Sequence, residues 1–304
     1  MELRGLIAAT VTPMTPDYEI DEGSLRRYVG WLLEQGTHGV AVNVDTGEGP
    51  HLWPHERRRV LEIFAEEING RIPIVAGLGA SFTAQAVGLA GEAREAGADA
   101  LLVFPIPAFQ GVPLHAEVAY AYHAAVAEVG LPLVLFQLQP ALGGVDYPPD
   151  VIARLASIDR VVAIKEASFD AVKYVRTLRV LEQLEHRIAM LTGNDNFIGE
   201  SFVLGADGAL LGFGTLATDR QVEMVEAFAA GDPERGLKIW RELIPIEEAV
   251  FASPVRDYRA RTKAALHALG VIDHPTVRPP LLPASQKEVD GVVALLKQLS
   301  GAAA

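Results

Sequence analysis

With 304 residues, half of them apolar, the chain is long enough for one large α/β domain or two smaller ones. A formal net charge of −13 argues against nucleic acid or an anionic membrane as partner, and the absence of cysteine removes disulfides, thiolate metal sites and cysteine nucleophiles. The start, Met1-Glu2-Leu3-Arg4-Gly5, lacks the basic and apolar segments of a secretory signal, and no apolar run approaches the ~20 residues of a membrane span, so a soluble cytoplasmic protein is expected.

Short apolar runs alternate with longer segments of helical period. The first strand is predicted over Leu6 to Val11. A helix follows, capped by Ser24, with Leu25, Tyr28, Val29, Leu32 and Leu33 at i, i+3, i+4, i+7, i+8 spacing. Gly39 to Val44 reads as the second strand and His55 to Ile68 as a helix. Ile72 to Leu78 and Thr83 to Ala96 repeat the unit. Strands four to eight are expected at Ala100 to Phe104, Leu133 to Phe136, Val161 to Ile164, Ile188 to Leu191 and Ala209 to Phe213. Helical segments near 115–129, 149–157, 170–185, 196–204 and 219–230 separate and follow them. The strand runs are nearly continuous in Val, Ile, Leu and Ala, the mark of parallel strands covered on both faces. Eight such units before residue 230 predict a closed α/β barrel, the (β/α)8 TIM barrel; a doubly wound open sheet is the competing arrangement. Beyond it Lys238 to Phe251, Asp257 to Leu269 and Ser285 to Leu299 read as helices. The expected division is a barrel over 1–230 and a helical extension over 231–304, packed on the barrel.

In such a barrel the active site lies at the C-terminal strand ends. Lys165 stands at the inner end of the run Val161-Val162-Ala163-Ile164. Desolvation there lowers a lysine's pKa and frees the amine, which can attack a keto group and leave an iminium as electron sink. A lysine leaving the strand to pair with Glu166 or Asp195 fits the same spacing. Val44-Asp45-Thr46-Gly47-Glu48-Gly49 is a tight turn whose backbone N–H groups could hold a carboxylate. It reads also, and more simply, as a plain strand–helix turn with Asp45 and Thr46 bonding their own backbone. Asp195 reads as a helix N-cap or as a partner for a substrate hydroxyl. Gly212-Phe213-Gly214 could approach a phosphate or merely pack closely. His51 and His55 are assigned to a surface loop because Pro54 lies between them, and no metal site is expected.

Taken in order, Thr12-Pro13, Thr46-Gly47-Glu48, Ile164-Lys165-Glu166-Ala167-Ser168 and Gly193-Asn194-Asp195 resemble the class I, pyruvate-dependent lyases typified by dihydrodipicolinate synthase and N-acetylneuraminate lyase, over about residues 4 to 300. The resemblance implies that Lys165 is the Schiff-base lysine. It also implies that Thr46, with the amides around Gly47, holds the keto-acid carboxylate, and that Gly193 and Leu210 line the pocket. No metal or organic cofactor is then needed, the partner is a small 2-keto acid, and a homo-oligomer, tetramer or dimer, is expected.

The departures are specific. The family's strand-two Gly-Thr-Thr-Gly-Glu becomes Val44-Asp45-Thr46-Gly47-Glu48, and its strand-five Tyr-Asn-x-Pro becomes Phe136-Gln137-Leu138-Gln139-Pro140. Phe136 cannot transfer a proton. The arginine that synthases carry after that motif is replaced by Ala141-Leu142-Gly143-Gly144, and the strand-four loop over 105–112 lacks their tyrosines. The expectation is an aldolase or dehydratase other than dihydrodipicolinate synthase, with Asp45, in an apolar pocket, taking over acid/base work. A barrel that binds a keto acid without turnover would carry the same residues.

Overall fold

The computed structural model describes residues 3–302 except 112. Among them eight parallel strands, β1 to β8 in chain order, close into one barrel, each neighbour in sequence also a neighbour in space. They are Gly5–Ala9, Gly39–Val42, Ile74–Leu78, Ala100–Val103, Leu133–Leu138, Val161–Ala167, Ala189–Thr192 and Gly208–Leu211. Pairing of β1 with β8, Ile7 opposite Leu210, closes the ring and rules out the doubly wound alternative. Eight helices, α1 to α8, follow the strands: Glu22–Glu34, Pro54–Ile68, Thr83–Glu95, Ala116–Ala127, Pro149–Ala156, Ala171–Leu181, Ile198–Val203 and Thr218–Ala229.

Strand alternation divides the apolar residues into two layers. Ile7, Val75, Leu102, Val134, Leu191 and Leu210 fill the barrel interior. Leu6, Val40, Leu101, Leu135, Ile164 and Leu211 face the surrounding helices. On β6 a register shift against β5 falls between Leu133 and Val134, so Val134 meets Ala163 and Val162 is passed over. That extra residue sets the phase of the rest of the strand. Ala163 and Ala167 belong to the interior layer, and Lys165, level with Phe136, therefore points inward with them.

Several element boundaries differ from expectation. β3 begins at Ile74, not Ile72, because Pro73 has no N–H to give the ladder; its carbonyl accepts from Val40 instead. The first helix starts at Glu22 with Asp21 as its cap, accepting from Ser24 N at 3.0 Å. Ser24 is instead buried, its Oγ accepting from Asp273 N. His55 is not in a loop: Pro54 takes the first position of α2, where a missing N–H costs nothing. β6 runs on to Ala167, so Lys165 sits within the strand.

Of three further helices, α9 (Pro233–Val250) packs against α7 and α8, while α10 (Tyr258–Ala268) and α11 (Gln286–Ala302) pack on α9 and on each other. α9 starts five residues before the expected Lys238, with Asp232 as N-cap and Pro233 in its first turn. Val112 of the strand-four loop and residues 1, 2, 303 and 304 of the expected division lie outside the described residues.

Candidate active site

A cavity of about 180 Å³ opens at the C-terminal strand ends. Lys165 lies in its wall, 8% exposed. Among the described residues its Nζ has no hydrogen bond and no ion pair; it lies over the Phe136 ring, 4.5 Å from the centroid. Burial pushes the amine down to about 8, against the opposing pull of Asp195 and Asp45. Pairing with Glu166 does not occur. Glu166 faces out of the barrel, where its Oε2 accepts from Asn194 Nδ2 at 2.6 Å, and burial raises it to about 7.

Gly193 is required by the lysine. A Cβ there would stand 2.5 Å from Lys165 Cε, 3.0 Å from Cγ and 3.1 Å from the Ala167 Cβ. Gly193→Ala should therefore displace the lysine stem while the fold persists. Because a ~1 Å misplacement can cost on the order of 100-fold, Schiff-base formation should fall by about that factor. Trapping kinetics with thermal unfolding as control checks this, and unchanged kinetics would contradict the packing.

The turn after β2 is built as a tight fold-back. Gly49 N donates to Val44 O and Glu48 N to Asp45 O. Gly49 passes so close to Asn43 that a Cβ would lie 1.9 Å from its carbonyl oxygen. Asp45 and Thr46 do not bond their own backbone, as the plain-turn reading required. Thr46 Oγ1 lies 3.1 Å from Tyr258 Oη, and Tyr258 Oη donates to Asp45 Oδ2 at 2.9 Å. The other Asp45 oxygen pairs with Arg259 Nη1 at 3.1 Å. The backbone N–H groups of Thr46 and Gly47 have no hydrogen-bond acceptor among the described residues.

Asp45 is therefore not enclosed in apolar surroundings. Its side chain is 48% exposed and ion-paired with Arg259, so the apolar enclosure expected of it is missing. Asp195 lines the cavity but is no helix cap. Its Oδ1 accepts from Phe213 N at 2.9 Å, tying the end of β7 to the segment after β8, and burial pushes its carboxyl up to about 6.

Of the sequence-predicted residues, Lys165, Asp45, Thr46, Phe136, Gly193 and Asp195 share the cavity wall. Gly47 and Leu210 do not. Gly47 O accepts from Thr12 Oγ1 at 2.8 Å, one layer behind the wall, and Leu210 fills the barrel interior below it. Gly212 takes the wall position assigned to Leu210. Gly214 would place a Cβ 3.0 Å from Ala8 Cα, so close packing accounts for it. Sequence reasoning missed Tyr258 altogether. It arrives from the first turn of α10, buried, stacked on Phe251 with ring centroids 4.8 Å apart.

The comparisons with known proteins agree with this arrangement. The 4-hydroxy-tetrahydrodipicolinate synthase of Methanopyrus kandleri is 34% identical over 303 residues, 98% of this chain and 97% of that protein. The crystal structure of dihydrodipicolinate synthase from Thermotoga maritima superposes with a TM-score of 0.89 at 30% identity, covering 99% of both chains. The chloride-inhibited dihydrodipicolinate synthase of Acinetobacter baumannii, solved with pyruvate, gives 0.86 at 31%, covering 98% of this chain and 99% of that one. The family model described as "Dihydrodipicolinate synthetase family" matches residues 2–299. A closed eight-strand barrel, an inward strand-six lysine and kinship along nearly the whole chain converge: this protein belongs to the dihydrodipicolinate synthetase family.

Proposed function

We propose that the chain is a lyase, an aldolase or a dehydratase, that joins Lys165 to pyruvate or a related 2-keto acid as a Schiff base. The observation that carries this is a buried amine with neither ion pair nor hydrogen bond, in the wall of a cavity that also holds the turn around Thr46. The open backbone N–H groups of Thr46 and Gly47 are the donors available for the keto-acid carboxylate. Phe136 and Gly193 flank the lysine, and Asp195 faces the cavity where it can take a substrate hydroxyl or balance the iminium charge. In an aldol cleavage the C3–C4 bond pair moves into the iminium to give the enamine, while the C4 hydroxyl loses its proton and becomes the aldehyde. In a dehydration the C3 proton leaves first and hydroxide then departs from C4. Neither course needs a metal or an organic cofactor, because the iminium is the electron sink.

The kin named above are called synthases of 4-hydroxy-tetrahydrodipicolinate or dihydrodipicolinate, but the wall above the lysine favours a different second substrate. It is formed by Phe104, Leu138, Leu142 and Phe251, and its charged side chains are Asp45, Lys165 and Asp195. A second carboxylate on the substrate would meet two acidic groups there, while the nearby Arg259 is already paired with Asp45. We therefore assign an aldehyde half without a carboxylate. Incubation with pyruvate and a set of apolar and aromatic aldehydes, with aspartate semialdehyde alongside, tests this. Faster pyruvate consumption with the uncharged aldehydes is expected; preference for aspartate semialdehyde would overturn the assignment. Family membership favours a homo-oligomer, dimer or tetramer, which sedimentation measures.

Schiff-base formation should follow the free-amine fraction of Lys165. Below its lowered value of about 8 the lysine is mostly protonated, so the rate should rise about tenfold per pH unit and level off above it. A pH-independent rate between about pH 6 and about pH 9 would show that the amine is not desolvated as described.

A further inference from the structure

Resting on the Schiff-base reading, we infer that Tyr258, brought in by α10, supplies the hydroxyl that Phe136 lacks, and that Thr46, Tyr258 and Asp45 form one proton relay from the substrate to the cavity mouth.

The direction of the chain follows from its hydrogen bonds. Arg259 holds Asp45 Oδ1, and Asp45 Oδ2 accepts the single Tyr258 proton at 2.9 Å. The 3.1 Å contact between Thr46 Oγ1 and Tyr258 Oη must then use the threonine proton. That leaves a Thr46 lone pair free, and Thr46 and Tyr258 both line the cavity with Lys165. The carboxylate end is half exposed and fixed by Arg259, so it can exchange protons with solvent. The tyrosine ring is held between Phe251 and the barrel, where a Cβ on Gly212 would lie 3.3 Å from Tyr258 Cε2. Its neighbours are therefore committed to placing this hydroxyl. The aspartate that departs from the family's threonine at position 45 and the phenylalanine at 136 become one coupled change: the relay hydroxyl moves to the opposite wall, and Asp45 orients it.

The proton steps balance. The Lys165 amine forms the N–C bond, the keto π pair moves to oxygen, and the relay carries one proton from nitrogen to that oxygen. A proton entering from solvent at Asp45 and passed through Tyr258 and Thr46 then leaves with the carbinolamine oxygen as water, while the nitrogen pair closes the C=N bond. The relay, back in its starting state, takes a proton from C3, giving the enamine, and returns that proton to solvent through Asp45.

Exchange of the pyruvate methyl protons with deuterium, followed by proton NMR in D2O, reads the last step without any second substrate. Wild type should exchange, and Lys165→Ala should not. Tyr258→Phe keeps the ring and should lower exchange by about 10²- to 10⁴-fold, the usual worth of a positioned acid/base, while the pyruvate concentration for half-maximal borohydride trapping stays within about threefold. Phe136→Tyr in the Tyr258→Phe background should recover part of the exchange, which a purely structural role would not allow. Asp45→Asn, at the exposed end, should lower exchange without unfolding the protein, and serves if Tyr258→Phe does not fold. Wild-type exchange rates in both variants would overturn the relay and leave the Schiff base standing. No exchange and no trapping in wild type would overturn the Schiff-base reading and the relay with it.

Discussion

Lys263→Met should destabilise the protein by about 3–5 kcal/mol, the usual cost of stranding one half of a buried ion pair. Lys263 Nζ donates to Glu48 Oε1 at 2.6 Å and to the Thr276 carbonyl at 2.6 Å, and both charged side chains are fully buried. Glu48 belongs to the turn that carries Asp45 and Thr46, and its other oxygen accepts from Arg278 N at 2.7 Å. Burial pulls the lysine pKa down, and Glu48 opposes it. The substitution therefore leaves an acid enclosed with one backbone donor. Urea unfolding should show a lower midpoint at unchanged slope, and Lys263→Met with Glu48→Gln should recover part of the loss. A change below about 1 kcal/mol would mean that water reaches the pair. The pair links the family's strand-two glutamate to α10, the helix that delivers Tyr258, so the same variant should also slow proton exchange.

Lys165→Arg should abolish turnover. Arginine keeps the positive charge but stays protonated at any working pH, so it offers no free amine to a keto carbon. The space beside the stem is also narrow, since a Cβ on Gly193 would lie 2.5 Å from Lys165 Cε. Residual activity at background level is expected with every aldehyde, alongside retained folding by circular dichroism. Activity above one part in about 10³ of wild type would point to another nucleophile, because covalent catalysis has no partial substitute at this position.

Much of the fold could be read along the chain because the barrel writes its period locally. Each buried strand is a run of Val, Ile, Leu and Ala, and Lys165 stood out as a charge at the end of such a run. What misled was register. The strand predicted over Val161 to Ile164 put Lys165 at its end, whereas the bulge at Val162 and continuation to Ala167 place it mid-strand. Leu210, carried over from the family resemblance and not from spacing, fills the barrel interior, while Gly212 lines the cavity.

The missing parts of the site are long-range contacts. Asp45 looked like an isolated carboxylate beside an apolar pocket, and nothing near it in sequence announced Arg259 or Tyr258, more than 200 positions away. In the chain Tyr258 is one apolar-periodic residue of a helix in the extension. A sequence signal did exist: a barrel that loses its strand-five tyrosine to Phe136 and gains Asp45 needs a hydroxyl from elsewhere. Only folding shows which of the chain's tyrosines reaches the cavity.

Mass spectrometry after borohydride reduction in the presence of pyruvate bears on the whole mechanism. A stable adduct confined to the peptide carrying Lys165, formed faster as pH rises toward 8 and absent from Lys165→Ala, is the expected result. A protein left unmodified with pyruvate and other small 2-keto acids, or an adduct on a different lysine, would contradict it.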